Sequence, residues 1–239
     1  MEVHRPKPAH GWRMFFGEVG IIVLGVLIAL VAEQTVRALE WRHKVHAAEA
    51  AMAAELRDDD GPQAYARAAM HDCLQQELDA IRAAVETGAP RAEVLRRLYA
   101  YKVSFWTWDS LAYTAAMNGE LSTHMETEAL SGWTSAYATM PALDRANQKE
   151  FADTAELHAL SRTGGALTEA ERQGLLHAVE TLRRDDLTIM SAVRVMLPAI
   201  AKTGVHLKVE DRRRMLKMVR GTHPGCHVQP PEAHAANAA

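Results

Sequence analysis

Twelve histidines make metal chemistry the first reaction class to weigh in this sequence. Glu40, His43 and His46 stand three residues apart, a spacing that puts three ligands on one helix face. A di-iron bundle, however, needs two Glu-x-x-His pairs and two further carboxylates. Only one such pair, Glu40-x-x-His43, occurs in the sequence, beside the expected membrane span rather than in a bundle core, so this group reads as a solvated or headgroup-facing patch. His223-Pro-Gly-Cys226-His227 offers three ligands within five residues. It lacks the paired Cys-x-x-Cys halves of a structural zinc site and the Cys-x-x-Cys-His of haem attachment. A Gly-x-Ser-x-Gly elbow, a phosphate-cradling glycine loop and His-Glu-x-x-His are all missing from the sequence. No residue is therefore assigned as catalytic, cofactor-binding or metal-ligating, and no cofactor is expected. Two cysteines, Cys73 and Cys226, leave a disulfide open, with an unpaired tail thiol as the plainer reading.

Other charged and polar positions carry weaker chemistry. Thr168-Glu169-Ala170-Glu171 matches a capping box, so a long helix should start there. Its apolar seam runs Leu175, Val179, Leu182, Asp186, Ile189, Val193, Met196 and Ile200, alternating steps of four and three. Asp186 is the one acid in that seam. It would set register or touch a ligand if buried; the commoner outcome is a helix that rolls and leaves the acid at the edge beside Arg183 or Arg184. Pro198 should kink the helix near its end. Lys202 to Arg220 holds seven Lys or Arg against two acids, which suits a surface helix and secondarily an anionic lipid surface. The whole chain carries a net charge of −3 and has no stacking platform near this segment, so no nucleic-acid partner is expected.

Six of the fourteen aromatic residues fall between Phe105 and Tyr137. Trp106, Trp108, Tyr113, Trp133 and Tyr137 are the candidate recognition patch. At such density large rings form either the hub of a core or an exposed patch, and the core hub is the plainer expectation. Gly119, after Asn118, is expected to leave the preceding helix in a left-handed conformation.

These groups must be held by helices. The pattern predicts an all-α chain: an N-terminal transmembrane helix continuing into an antiparallel helical bundle. Residues 1–13 form an N-terminal segment, 14–32 the span, 33–221 a helical soluble domain and 222–239 a disordered tail. The span, MFFGEVGIIVLGVLIALVA, is roughly 28 Å long as a helix, close to a hydrocarbon core. Trp12, Phe15 and Phe16 sit where an interfacial belt would lie, and no good small-x-small site follows the span, so it reads as uncleaved, with a cleaved signal or a buried soluble helix as the alternatives. Past the span, the helix should end at Asp58-Asp59-Asp60-Gly61-Pro62 and turn back as a hairpin. The next helix carries an apolar stripe of Leu74, Leu78, Ile81 and Val85 and ends at Gly88-Ala89-Pro90. A third segment holds Val94, Leu98, Tyr101 and, if long enough, Phe105, with shorter pieces over 109–117, 125–140 and 141–160.

One stripe of the span, Glu18, Ile22, Gly25, Ala29 and Ala32, recurs at i+3 and i+4 steps. Gly25 and Ala29 form a small-xxx-small pair that lets another backbone approach, and an ionisable group in a span faces protein or water. This is the candidate docking face for a membrane-protein partner or a second copy; incidental small residues with a snorkelling Glu18 are the alternative. Three cations precede the span (Arg5, Lys7, Arg13) and three follow it (Arg37, Arg42, Lys44), so orientation is nearly undecided. The free amine and the two cysteines tip the soluble domain toward the periplasmic side of a bacterial inner membrane.

Gly17-Glu18-Val19 followed by Gly25-Val26-Leu27-Ile28-Ala29-Leu30 resembles the span of a family of small bacterial single-pass membrane proteins of unknown function. Trp108-Asp109-Ser110-Leu111, Asn118-Gly119-Glu120-Leu121 and Leu130 to Tyr137 resemble that family's middle block. The resemblance implies an anchor and a helical domain, and no activity or functional residue. The sequence therefore leads to a membrane-anchored accessory or scaffold subunit working through protein–protein contacts. The alternatives are a ligand-sensing helical domain signalling through a membrane partner, and an enzyme with an unrecognised site.

Overall fold

The computed structural model describes residues 12–159, 165–226, 228 and 230–231. The expected N-terminal charges Arg5 and Lys7, His227, and the tail from 232 lie outside them. Among the described residues every regular element is helical. The chain divides into two units, one up to Ala47 and one from Ala48 onward.

The first unit consists of most of α1, Trp12–Glu55. By length and composition α1 includes a stretch apolar enough to cross a membrane, and no residue of that stretch is buried. Trp12 and Phe16 lie 5.6 Å apart between ring centroids near its start. Glu18, Ile22, Gly25, Ala29 and Ala32 are exposed, as is the rest of the helix circumference around them. A Cβ added at Gly25 would meet nothing within 4 Å, so the small-residue stripe is open to a neighbour without being distinguished from the other faces.

The second unit opens with a correction. The acidic run does not break the chain into a hairpin. Leu56–Asp60 is a turn of π-helix leading straight into α2, Gly61–Glu86. Gly61 keeps right-handed helical angles and donates its backbone N–H to the Leu56 carbonyl. Proline cannot donate to the ladder and its ring crowds the carbonyl four residues back; the wider π turn is a known way to absorb such a residue, and Pro62 falls in the first turn of α2. A Cβ on Gly61 would collide with the Leu56 carbonyl and with Leu207, which explains glycine there. The turn after α2 falls at Gly88-Ala89-Pro90 as expected.

There follow α3 (Arg91–Ala100), α4 (Leu111–Met117), α5 (Thr127–Tyr137), α6 (Met140–Ala159), α7 (Glu169–Lys202) and α8 (Val209–Thr222). The helix α7 is the spine of the unit: it packs on α2, α6 and α5, while α8 packs on α2. Thr168 caps α7 through the reciprocal capping box with Glu171, and every residue of the heptad seam is buried. On α2 the stripe Leu74, Leu78, Ile81 and Val85 is likewise buried. The third segment is shorter than its pattern allowed: α3 stops at Ala100, and Phe105 lies in an irregular stretch, 51% exposed. Gly119 is extended at φ −119°, not left-handed, because a 3₁₀ turn over Glu120–His124 takes the chain onward.

Packed structure also extends past the expected end of the domain at 221. His223 and Val228 are buried, and Cys226 is joined to Cys73 of α2 by a disulfide. The plainer expectation of a free tail thiol is thus overturned. His223 Nδ1 lies 3.0 Å from Glu77 Oε1, one helical turn after Cys73, so a hydrogen bond accompanies the covalent tie.

Candidate functional site

Asp186 is completely buried, contrary to the expectation that it would roll to the edge beside Arg183 and Arg184. Its heptad position points it at α2, which answers with Arg67, His71 and Gln75, residues at i, i+4 and i+8 that share one helix face. Arg67 Nη2 donates to Asp186 Oδ1 at 2.6 Å and to Glu150 Oε1 of α6 at 2.5 Å. His71 Nδ1 lies 2.6 Å from Asp186 Oδ2, and Gln75 Nε2 donates to the same oxygen. Three helices are thereby joined through the buried Arg67 guanidinium, which bonds the carboxylates of both α6 and α7.

The electrostatics sort these groups. Burial works to raise the Asp186 pKa, but the His71 hydrogen bond and the Arg67 charge outweigh it, and the carboxyl is held below its usual range. Burial likewise disfavours the charged Arg67, and the carboxylates of Glu150 and Asp186 more than restore it. Glu150 receives less help: burial, with Asp186 nearby, pushes it up to about 7 against the pull of Arg67. The Tyr101 hydroxyl, raised by burial and then by Glu150, has no hydrogen-bond partner among the described residues. At the outer edge Lys149 bridges Asp153 and Asp185.

His71 connects this network to open space. It lines a cavity of about 870 Å³ in the second unit, within the range of small-molecule sites. One face of α7 (Met190, Val193, Arg194 and Leu197) forms one wall, Tyr65 and Ala68 of α2 another, and Val205 to Leu207 a third. With Nδ1 donating to the ionised Asp186, Nε2 is the ring nitrogen left for the cavity. A carboxylate that fixes the tautomer of a histidine in this way also serves general bases and metal ligands. The residues lining the cavity include no Ser, Thr or Cys, and the hydroxyl among them is the phenol of Tyr65.

Compared with family models, curated proteins and solved structures, the chain matches none.

The candidate aromatic patch does not survive as a surface. Trp108, Trp133 and Tyr137 are buried, while Trp106 and Tyr113 are half-buried. Tyr113 stacks on Tyr137 at 4.8 Å, and Trp106 meets Trp108 edge-on at 6.2 Å. Large rings bury more apolar area than any other side chain, and the domain spends most of this set on its core. An exposed aromatic pair of the second unit is instead Phe105 with Phe151, 5.1 Å apart. Among the described residues the His/Cys/acid group whose ligand atoms converge is Cys73, Glu77 and Cys226, two of which are disulfide-bonded; Glu40, His43 and His46 are not part of such a group.

A further buried acid, outside this network, was invisible in the sequence. Asp60, in the π turn, is 1% exposed, and neither carboxyl oxygen completes a hydrogen bond. Burial first, then the charge of Glu55, pushes it up to about 8, with the nearby Asp109 amide offsetting part of the effect. Glu55 itself accepts the Ala112 backbone N–H at 2.9 Å.

Proposed function

We propose that the chain is a membrane-anchored ligand-binding domain, the sensing alternative rather than the accessory subunit that the sequence favoured. The observation that carries this is the cavity against His71, whose ring is fixed by a buried Asp186 tied to Gln75 and, through Arg67, to Glu150. A solid core would need no such arrangement. Breaking a buried ionic network costs several kcal/mol, whereas an apolar core of equal volume is as stable or more so, so its presence beside a cavity favours a role in recognition. The three helices it joins give a bound molecule a means of shifting their packing.

The apolar helix serves as the anchor, in keeping with the resemblance to single-pass proteins of the bacterial inner membrane. The Cys73–Cys226 disulfide supports a periplasmic placement of the domain, since such bonds persist in oxidising compartments. The output would fall to a membrane partner or second copy, with Glu18, Ile22, Gly25, Ala29 and Ala32 as the docking stripe. The accessory reading keeps one specific observation in its favour, the exposed pair Phe105 and Phe151.

Native mass spectrometry of the full chain purified from its membranes tests the proposal. A small-molecule adduct is expected on the wild type and not on Leu197→Trp, which fills the cavity from a half-buried position. No adduct on either protein, with a stoichiometric protein partner recovered from both, would favour the accessory reading.

A further inference from the structure

Resting on the ligand-binding reading above, we infer that the cavity takes an organic acid: an apolar body with one anionic group, met by Arg194 and His71. The apolar body follows from the walls. Tyr65, Met190, Val193, Leu197 and Val205 present carbon to the space, and burying apolar surface there contributes roughly 25 cal/mol per Å².

The sign of the head follows from the charges on the same lining. Arg194, Arg212, His71 and His206 face the cavity, and Asp72 is the single acid among the lining residues. Asp72 and Arg212 each have interactions within the protein and cancel one another in charge. Arg194 has no ion-pair partner among the described residues, so none of their carboxylates engages its five donors at the cavity. Its fork matches a carboxylate in two parallel hydrogen bonds.

The role of His71 depends on what lies behind it. Asp186 accepts from Nδ1 whether the ring is neutral or protonated, so the ring keeps its orientation in both states. Protonated, it forms a neutral pair with Asp186 and offers Nε2–H to an anion; neutral, it offers only a lone pair, which an anion repels. Arg67 and Glu150 lie beyond Asp186 and complete the charges on that side, with Gln75 adding a neutral donor. A second cation and an anion in the cavity are thus electrostatically complementary without an unpaired buried charge.

The probes are 4-phenylbutyrate and 4-phenylbutanol, which share an apolar body and differ in the head; both are soluble enough to avoid partitioning wholly into lipid. Isothermal titration calorimetry on the full chain in lipid nanodiscs reads the difference. The acid is expected to bind about tenfold tighter than the alcohol, the size of one charge-assisted hydrogen bond. Arg194→Gln, an exposed site that the fold does not need, should bring the two together by weakening the acid alone. Leu197→Trp should abolish both. Equal affinity for acid and alcohol in the wild type overturns the inference while leaving the cavity as a ligand site. Binding of neither probe overturns the inference, and binding that persists in Leu197→Trp does so as well by placing the site elsewhere.

Discussion

Replacing Asp60 by Asn should remove a large part of the pH dependence of the domain's stability, the raised Glu150 carboxyl accounting for a further share. The carboxyl is buried without a completed hydrogen bond and titrates at about 8, against a reference of 3.8. In the native state it therefore holds a proton that the unfolded chain has already lost. A carboxyl raised in this way contributes its full stability below the unfolded pKa and loses it as pH rises toward the folded one. At 1.36 kcal/mol per pH unit, the four-unit window is worth about 5 kcal/mol, a large share of a typical domain's 5–15 kcal/mol. Asn keeps the shape and cannot ionise. The assay is thermal unfolding of the full chain in detergent, followed by the near-UV signal of Trp106, Trp108 and Trp133, at pH 5, 7 and 9. Wild type should weaken steadily across the series, and Asp60→Asn should start near it at pH 5 and exceed it clearly at pH 9. Curves that stay parallel across the three pH values would refute the reasoning, since they would mean that Asp60 is as ionised in the native state as in the unfolded one.

Two further substitutions test other parts of the structure. Arg67→Met leaves Asp186 and Glu150 buried without their cation, and should destabilise the domain by about 3–5 kcal/mol in chemical denaturation. An Arg67→Met, Glu150→Leu, Asp186→Leu triple variant should recover much of that loss, and failure to recover any would mean that packing rather than charge sets the cost. Cys226→Ser opens a loop with a sequence separation of 153 residues; chain entropy puts the loss at about 5 kcal/mol at most. A dithiol reductant should lower the melting temperature of the wild type and leave the Ser variant unchanged.

The elements with a strong period were legible. The seam of α7 and the stripe of α2 could be read residue by residue, because burial of one helix face imposes a 3.5- to 3.6-residue repeat. The capping box announced the start of α7 for an equally local reason. The hairpin expected at Asp58–Pro62 failed because Gly and Pro are punctuation only when nothing larger overrides them; here a π turn lets the helix run through. Burial of Asp60 follows from that same turn, so no local pattern could signal it. The Asp186 network was half visible. The acid stood out in the seam, but its partners Arg67, His71 and Gln75 looked like an ordinary polar face of α2, and Glu150 arrives from a third helix. A buried acid needs a cation, and searching for a cation with polar neighbours at i, i+4 and i+8 would have found α2. The disulfide escaped for the opposite reason, since its two residues share no local pattern and only the tertiary fold brings them together.

The central claim is that the cavity beside His71 exists to hold a small molecule. Its most direct test is a crystal structure of the full chain purified from its own membranes without added ligand exchange. The account predicts continuous non-protein density between α2 and α7, with an atom within hydrogen-bonding distance of His71 Nε2 and the Asp186 contacts retained. A cavity closed by its own side chains, with His71 turned away from Asp186, would contradict it.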